Sequence, residues 1–397
     1  MNRVVRIKDI SSSIGSGITP LRSNDKYWNN GTIPWLKTGE LGEHKIFDTN
    51  EKITTFALEN TGLKIFPVNT LSIALYGEGK TRGKVSILKK EMTTNQACCN
   101  VVIDKTKADY NFVYYLLKTK YNQLRNLSSG IRKNLNADYI KELEILLPDD
   151  ISVQQKIASV LSALDNKIEL NNQINSELEK TAKTIYDYWF VQFDFPDENG
   201  RPYKSNGGKM VWNEELKREI PEGWESIKIG TILSKNNKKK KIPKSKIQLD
   251  GKIPIIDQST EFIAGFTNDI DSIIESATPK IIFGDHTRIL KFINFDFAQG
   301  ADGTQLLFSK NNRMPQHLLY QALNQIDLSN YGYARHFKFL KEFNIVLPNE
   351  NIAIRYDLIA KNFYDIIKVN IFQNLELSKL RDWLLPMLMN GQVKVMI

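Results

Sequence analysis

Two long stretches of the chain carry apolar positions at alternating steps of four and three residues. Between Val153 and Phe190 the steps land on Ile157, Leu161, Leu164, Ile168, Asn171, Asn175, Leu178, Ala182, Ile185 and Trp189. Between Asn351 and Met389 they land on Tyr356, Ala360, Phe363, Ile367, Asn370, Asn374, Leu377, Arg381, Leu384 and Leu388. An average of 3.5 residues keeps one stripe of a helix turned toward a partner, so the spacing predicts two helices packed along a coiled-coil seam. Arg381 is the one charged residue that breaks the stripe. The two Asn pairs fall near the middle of each run, inside a shared pattern of Ile, Asn, Asn, Glu, Leu and Lys. An antiparallel arrangement sets midpoint against midpoint, where the amides can bond to one another. Such a pair costs stability but penalises slipped registers. At ~1.5 Å per residue each helix is on the order of 55 Å long, which suits a spacer. The competing reading is two unrelated surface helices with Asn facing water.

The rest of the chain changes period. Residues 1–150 show short apolar runs such as Thr70 to Tyr76 and Val101 to Ile103, punctuated by Ser16-Gly17, Thr19-Pro20, Asn29-Asn30-Gly31 and Pro67. This predicts a mixed domain rich in strands, with one helix from about Ala108 to Asn126 and a closing strand stopped at Pro148. After Phe190, Phe195-Pro196, Asn199-Gly200, Arg201-Pro202 and Ser205-Asn206-Gly207-Gly208 favour an exposed connection over 191–219. A second globular segment over 220–349 repeats the first in outline. Gly31-Thr32-Ile33-Pro34 is answered by Gly251-Lys252-Ile253-Pro254, and Tyr76-Gly77-Glu78 with Thr81-Arg82 by Phe283-Gly284-Asp285 with Thr287-Arg288. The strand ending at Pro148 is answered by the one ending at Pro348. The expected class is therefore mixed α/β: two globular domains (1–150 and 220–349) alternating with two long antiparallel helices (151–190 and 350–390), an internal pseudo-two-fold repeat, and a tail over 391–397.

Composition narrows the function. With 397 residues and 41% hydrophobic positions, the chain can build more than one core, and no apolar run reaches bilayer length. The first residues enter a domain directly, without a secretory segment, so a cytoplasmic location without membrane attachment is expected. Two adjacent cysteines (Cys98, Cys99) and 4 histidines suit neither a disulfide framework nor a zinc site. A net charge of +9 leaves ample Lys and Arg to neutralise phosphates, although a basic surface alone is equally compatible with a protein adaptor.

The arrangement resembles the specificity (S) subunit of type I restriction-modification enzymes over essentially the whole chain. The likeness is carried by Gly17-Ile18-Thr19-Pro20 with Gly31-Thr32-Ile33-Pro34-Trp35, by Gln155-Lys156-Ile157-Ala158 through Leu164-Asp165-Asn166-Lys167-Ile168, and by Ile220-Pro221-Glu222-Gly223-Trp224-Glu225. The resemblance implies a non-catalytic reader of double-stranded DNA. Each globule would be a target-recognition domain for one half of a split, asymmetric site, and the helices would set the gap and hold two modification (M) subunits. Those partners bind S-adenosylmethionine and methylate adenine at N6. Restriction (R) subunits add ATP- and Mg²⁺-dependent translocation and cleavage, and no cofactor belongs to this chain. The second helix departs from the pattern, since Asn351-Ile352-Ala353-Ile354 lacks the Gln-rich start at Gln154-Gln155.

Phosphates select Lys, Arg and small hydroxyls, while base edges select Arg or Lys for guanine and Asn or Gln for adenine. In the first globule this picks Lys80, Arg82 and Lys84 beside Tyr76, then Asn95 and Gln96, then Arg132, Lys133 and Asn134. In the second it picks Lys238 and Lys239 in a basic run to Lys241, then His286, Thr287 and Arg288. Gln299, Thr304 and Gln305 follow, and then Tyr333, Arg335, His336 and Lys338. Arg82 and Arg288, at matching points of the repeat, are the strongest candidates. The rings of Tyr76 and Phe283 are expected to close cores. Solvated surface charge is the alternative for each polar candidate.

Three enzymatic patterns fail on context. Ala74 to Thr81 ends in Gly79-Lys80-Thr81 like a phosphate loop, but the following residues read as a turn into a strand where a helix is required. Pro196-Asp197 with Glu215-Leu216-Lys217 imitates a nuclease triad without the adjoining strands that would share a magnesium ion. A methyltransferase turn of the Asn-Pro-Pro type is missing, because the sequence has no Pro-Pro pair.

Overall fold

The computed structural model describes residues 2–42, 44–77, 81–126, 135–234, 239–301, 303–332, 335–393 and 395. The chain forms two compact units. One comprises Met1–Glu169 with Asn374–Ile397, the other Leu170–Gln373. Each globule therefore takes with it a stretch of both long helices.

Those helices span Ile151–Tyr186 and Glu350–Met389. The first starts where the Asp150 carboxylate accepts hydrogen bonds from the Ser152 amide (2.8 Å) and hydroxyl (3.0 Å), which satisfies donors that a helix start leaves open. These bonds hold the Asp150 carboxyl below its usual range. The second starts at Asn349, whose side-chain oxygen accepts from the Ile352 amide at 3.3 Å. Every seam position named from the spacing is buried or half-buried. The first helix ends in a π-turn over Asp187–Val191, and this wider turn lets the successive residues Trp189 and Phe190 both face inward.

In the first unit the terminal strand Asn2–Arg6 pairs antiparallel with Glu144–Pro148, the closing strand. A five-stranded sheet runs in the order Ser11–Ser16, Cys98–Ile103, Leu71–Ala74, Val85–Leu88, Lys45–Ile46. A three-stranded sheet sets Ile33–Leu36 between Glu51–Ile53 (antiparallel) and Thr93–Thr94 (parallel). The predicted helix over 108–126 is broken into Tyr110–Thr119 and Tyr121–Asn126, with Asp109 capping the first through the Phe112 amide at 2.9 Å. Its face of Phe112, Val113, Leu116 and Leu117 joins one core with Ile157, Ala158 and Leu161 of the first long helix and Leu385, Leu388 and Met389 of the second.

The second unit repeats the central elements in sheets of four and three strands. Glu225–Lys228 pairs with Asn344–Leu347, and Ile253–Ile256 lies between Gly265–Thr267 (antiparallel) and Phe297–Gln299 (parallel). Lys280–Gly284 lies between Leu290–Ile293 and Thr304–Leu307. The Gly-x-Ile-Pro repeat thus marks the same central strand in both units. Its core gathers Ala182, Tyr186, Trp189 and Phe190 with Tyr356, Ala360 and Tyr364. Residues 191–219 are largely exposed, but they are not a free tether. Phe193 and Phe195 are buried, Phe195 stacks on Trp224 at 5.0 Å between centroids, and Asp194 accepts from the Ser205 amide (2.7 Å) and hydroxyl (2.6 Å). Turn-rich composition concealed these apolar anchors.

Candidate nucleic-acid interface

Register places the candidate loops of the first unit together. Ser16 is opposite Cys99, Ala74 opposite Cys98 and Ile73 opposite Val85, so the loops following Ser16, following Ala74 and preceding Cys98 emerge at one end of the five-stranded sheet. They are stitched by Ile18 N to Thr94 O (3.0 Å), Leu75 N to Ala97 O (2.8 Å) and the Thr19 hydroxyl to Gln96 Oε1 (2.5 Å). Gly17 is required here, because a Cβ would lie 1.7 Å from the Thr94 oxygen. Arg82, Lys84, Asn95 and Gln96 thereby share one end of the sheet, with Tyr76 exposed beside them. Tyr76 departs from the expectation that it closes a core, whereas Phe283 meets it. Asn95 is partly committed, since its side-chain oxygen accepts from the Ala97 amide at 3.1 Å. Arg82 is half-buried, and its Nε has no hydrogen-bond partner among the described residues.

The second unit builds a corresponding end. The loop from Asp285 to Ile289 is closed by Gly284 N to Ile289 O and Arg288 N to Gly284 O, both 2.8 Å, and it leaves His286, Thr287 and Arg288 exposed. Arg288 sits at φ 63°, the left-handed region that side chains rarely adopt, so the turn holds it in an uncommon backbone state. Gln258, which the sequence analysis did not single out, organises this loop. Its carbonyl accepts from the Thr287 hydroxyl (2.9 Å), and its side-chain oxygen accepts from the His286 amide (3.3 Å). The available signal was its place just after the Gly-x-Ile-Pro strand. Threonine folds back on glycine in both units: a Cβ on Gly77 would lie 2.7 Å from Thr81 Cβ, and one on Gly284 would lie 2.2 Å from Thr287 Oγ1.

Several predicted residues have other work. Gln299 is buried, and its amide nitrogen donates to the Thr304 carbonyl (3.0 Å) and hydroxyl (3.1 Å). His336 is buried with its ring nitrogens against the carbonyls of Asp285 (2.9 Å) and Gly332 (3.2 Å). Both are corrected from surface contacts to internal braces, because a buried polar group needs its partners inside the fold. Gln305 is half-buried and 3.5 Å from Asp285 Oδ2. Lys239, Arg335 and Lys338 are exposed. In the adjoining basic run Lys240 pairs with Asp269 (2.6 Å) and Lys241 donates to Thr304 O (2.7 Å). Lys80, Arg132, Lys133, Asn134, Lys238 and Tyr333 lie outside the described residues.

The enzymatic look-alikes resolve locally. Val85–Leu88 is a strand, as the phosphate-loop objection required. Asp197 spends its carboxylate on the amides of Asn199 (2.8 Å) and Arg201 (2.9 Å) in a turn. No cluster of metal-binding side chains occurs among the described residues, and none of their helices is long and apolar enough to cross a membrane. Burial pushes the Cys98 and Cys99 thiols up to about 12, so neither is a ready nucleophile.

Two globules with matching central strands, each carrying polar loops at one sheet end and packed on a pair of long helices, define a DNA-specificity subunit architecture. Residues 2–180 match the family model for the type I restriction modification DNA specificity domain. The chain is 30% identical to the type I restriction enzyme MjaIX specificity subunit of Methanocaldococcus jannaschii, over 99% of this chain and 93% of that one. It is 23% identical to the EcoR124I/EcoR124II specificity subunit of Escherichia coli, over 47% of each. The crystal structure of a type I restriction-modification S subunit from M. genitalium superposes with a TM-score of 0.57 at 19% identity, covering 98% of this chain and 96% of that one, which establishes a common fold. The chain belongs to the type I restriction-modification specificity subunits.

Proposed function

We propose that the chain reads a split, asymmetric site in double-stranded DNA, one part per globule, and presents it to two M subunits for adenine N6 methylation. In this reading R subunits complete the restriction complex, S-adenosylmethionine is held by the M partners, ATP and Mg²⁺ serve the R partners, and the complex works in the cytoplasm. The observation that carries the proposal is the pair of matching loop ends. The first carries Arg82, Lys84 and Gln96, the second His286, Thr287 and Arg288. Lys239, Arg335 and Lys338 extend the second as phosphate contacts, and Gln299 and His336 are left out as internal braces.

Co-expression with the cognate M subunit and mapping of N6-methyladenine tests the reading directly, with a gapped, asymmetric motif expected. Exchange of residues 220–349 for those of another family member should change one part of that motif and leave the other. Arg288→Ala should weaken binding by about 1–3 kcal/mol if the guanidinium meets a base edge, and relax the motif at one position of the same part. Affinity should fall steeply with ionic strength. A flat salt response with an unchanged motif would favour a protein adaptor.

A further inference from the structure

Arg381, which breaks the apolar stripe in the sequence, is the outer half of a buried ion pair. Its Nη1 donates to Asp165 Oδ1 at 2.7 Å, with the two side chains 18% and 3% exposed. The same carboxylate takes the Tyr115 hydroxyl on Oδ2 at 2.6 Å, and His44 Nδ1 stands 3.7 Å from that oxygen. One carboxyl group on the first long helix therefore meets the second long helix, the globule's own helix Tyr110–Thr119 and the residue beside its edge strand Lys45–Ile46. Beside it Lys45 Nζ donates to Asn166 Oδ1 (2.6 Å) and, one turn further along, to Glu169 Oε2 (3.0 Å).

Apolar contact would hold these elements together but would tolerate sliding, because dispersion and hydrophobic burial have little direction. A charge-assisted hydrogen bond has a short range and a required angle. Replacing a buried pair by well-packed apolar groups is often neutral or stabilising, so the pair contributes to geometry more than to stability. The second unit has a carboxylate contact of its own, Asp357 of the second long helix to His317 Nδ1 at 2.7 Å, but among its described residues no one carboxylate bonds both the other long helix and the globule's helix. At the position matching Asp165 in the second helix stands Tyr364, buried, its hydroxyl accepting from Gln321 Nε2 at 3.2 Å.

We infer that Asp165 is a positioning residue: by binding Arg381 and Tyr115 at once it sets the angle of the first globule on the helix pair, and with it the gap length the subunit accepts between the two parts of its DNA site. The inference rests on the function proposed above.

The M–S complex of the full-length chain is first mapped for N6-methyladenine. A contiguous or absent motif would refute the proposed function and not the role of Asp165. With the gapped motif known, methylation rates are compared on the native gap and on gaps one base pair longer and shorter. Asp165→Asn with Arg381→Met removes both charges while keeping volume. This double variant should fold with a midpoint near the wild type, keep the bases of both parts, and lose about tenfold of the preference for the native gap. A folded double variant with wild-type gap preference overturns the inference. If the double variant fails to assemble, Tyr115→Phe decides, since it leaves the ion pair in place. A two- to fivefold loss of gap preference supports the role, and an unchanged preference refutes it.

Discussion

The two units meet their helices through different chemistry. In the first the join is ionic and hydrogen-bonded, centred on Asp165 with Arg381 and Tyr115. In the second it is mainly aromatic, beside one contact of His317 Nδ1 with Asp357 at 2.7 Å. Tyr356 is fully buried, its hydroxyl donates to the Ala182 carbonyl at 3.0 Å, and its ring contacts Phe190 at 5.3 Å and Tyr186 and Trp189 at 6.2 Å between centroids. The same central strands on a pair of helices thus accept either solution. The aromatic join relies on area and shape, which are insensitive to pH, whereas the ionic join relies on charge and direction, which are not.

The largest expected effect comes from breaking the aromatic join. Tyr356→Ala should cost about 4 kcal/mol, from lost burial and the cavity left behind. Denaturant unfolding read by hydrogen exchange should place the loss among amides of Leu170–Gln373. Arg381→Met alone should cost about 3 kcal/mol, because it strands the Asp165 carboxylate in the interior. Burial alone would raise that carboxyl, but Lys118, His44, Arg381 and the Tyr115 hydroxyl together outweigh it and hold it below the usual range. The stabilisation is therefore present above the ordinary carboxylate pKa and lost as pH falls through the folded value, so the Arg381→Met penalty should shrink in acid.

His44 sharpens the contrast. Burial, against the opposing pull of Asp165 and reinforced by Lys45, Lys118 and Lys89, lowers its pKa from 6.5 to about 4. Between those values the unfolded chain binds the extra proton, so stability is complete above 6.5 and declines toward 4. His44→Phe, which can pack on the Tyr114 and Tyr115 rings 4.9 and 5.7 Å away, should remove roughly 2–3 kcal/mol of that decline. An unchanged acid slope in unfolding titrations would refute this account. The smallest effect is expected in the seam. Asn175→Leu together with Asn370→Leu should raise stability by about 1 kcal/mol while letting the register slip, detectable by cysteine crosslinks across the helices.

The helical seam was legible because its period is written in the residues themselves. The observed bonds nevertheless differ in detail from the expected ones. Asn370 donates to Asn175 at 2.8 Å, as midpoint pairing requires, but Asn171 donates to Gln373 at 2.8 Å, one position short of Asn374. A heptad pattern states which face turns inward, while the partner of a given amide depends on the axial offset of two helices. The same distinction runs through the loops. Residue type marked Arg82 and Arg288, but it marked Gln299 and His336 equally well, and only their burial against Thr304, Asp285 and Gly332 assigns them to the interior.

The sequence by itself determined the alternation of globules and helices, their repetition, and the family, because period, order and glycine placement survive without coordinates. The tertiary structure alone decided what Arg381 does, how Gln258 shapes its loop, and that Phe193 and Phe195 anchor the connecting segment. Each of those depends on a neighbour distant in the chain. A residue's type limits the bonds it can make, and folding selects among them by bringing the partner within reach.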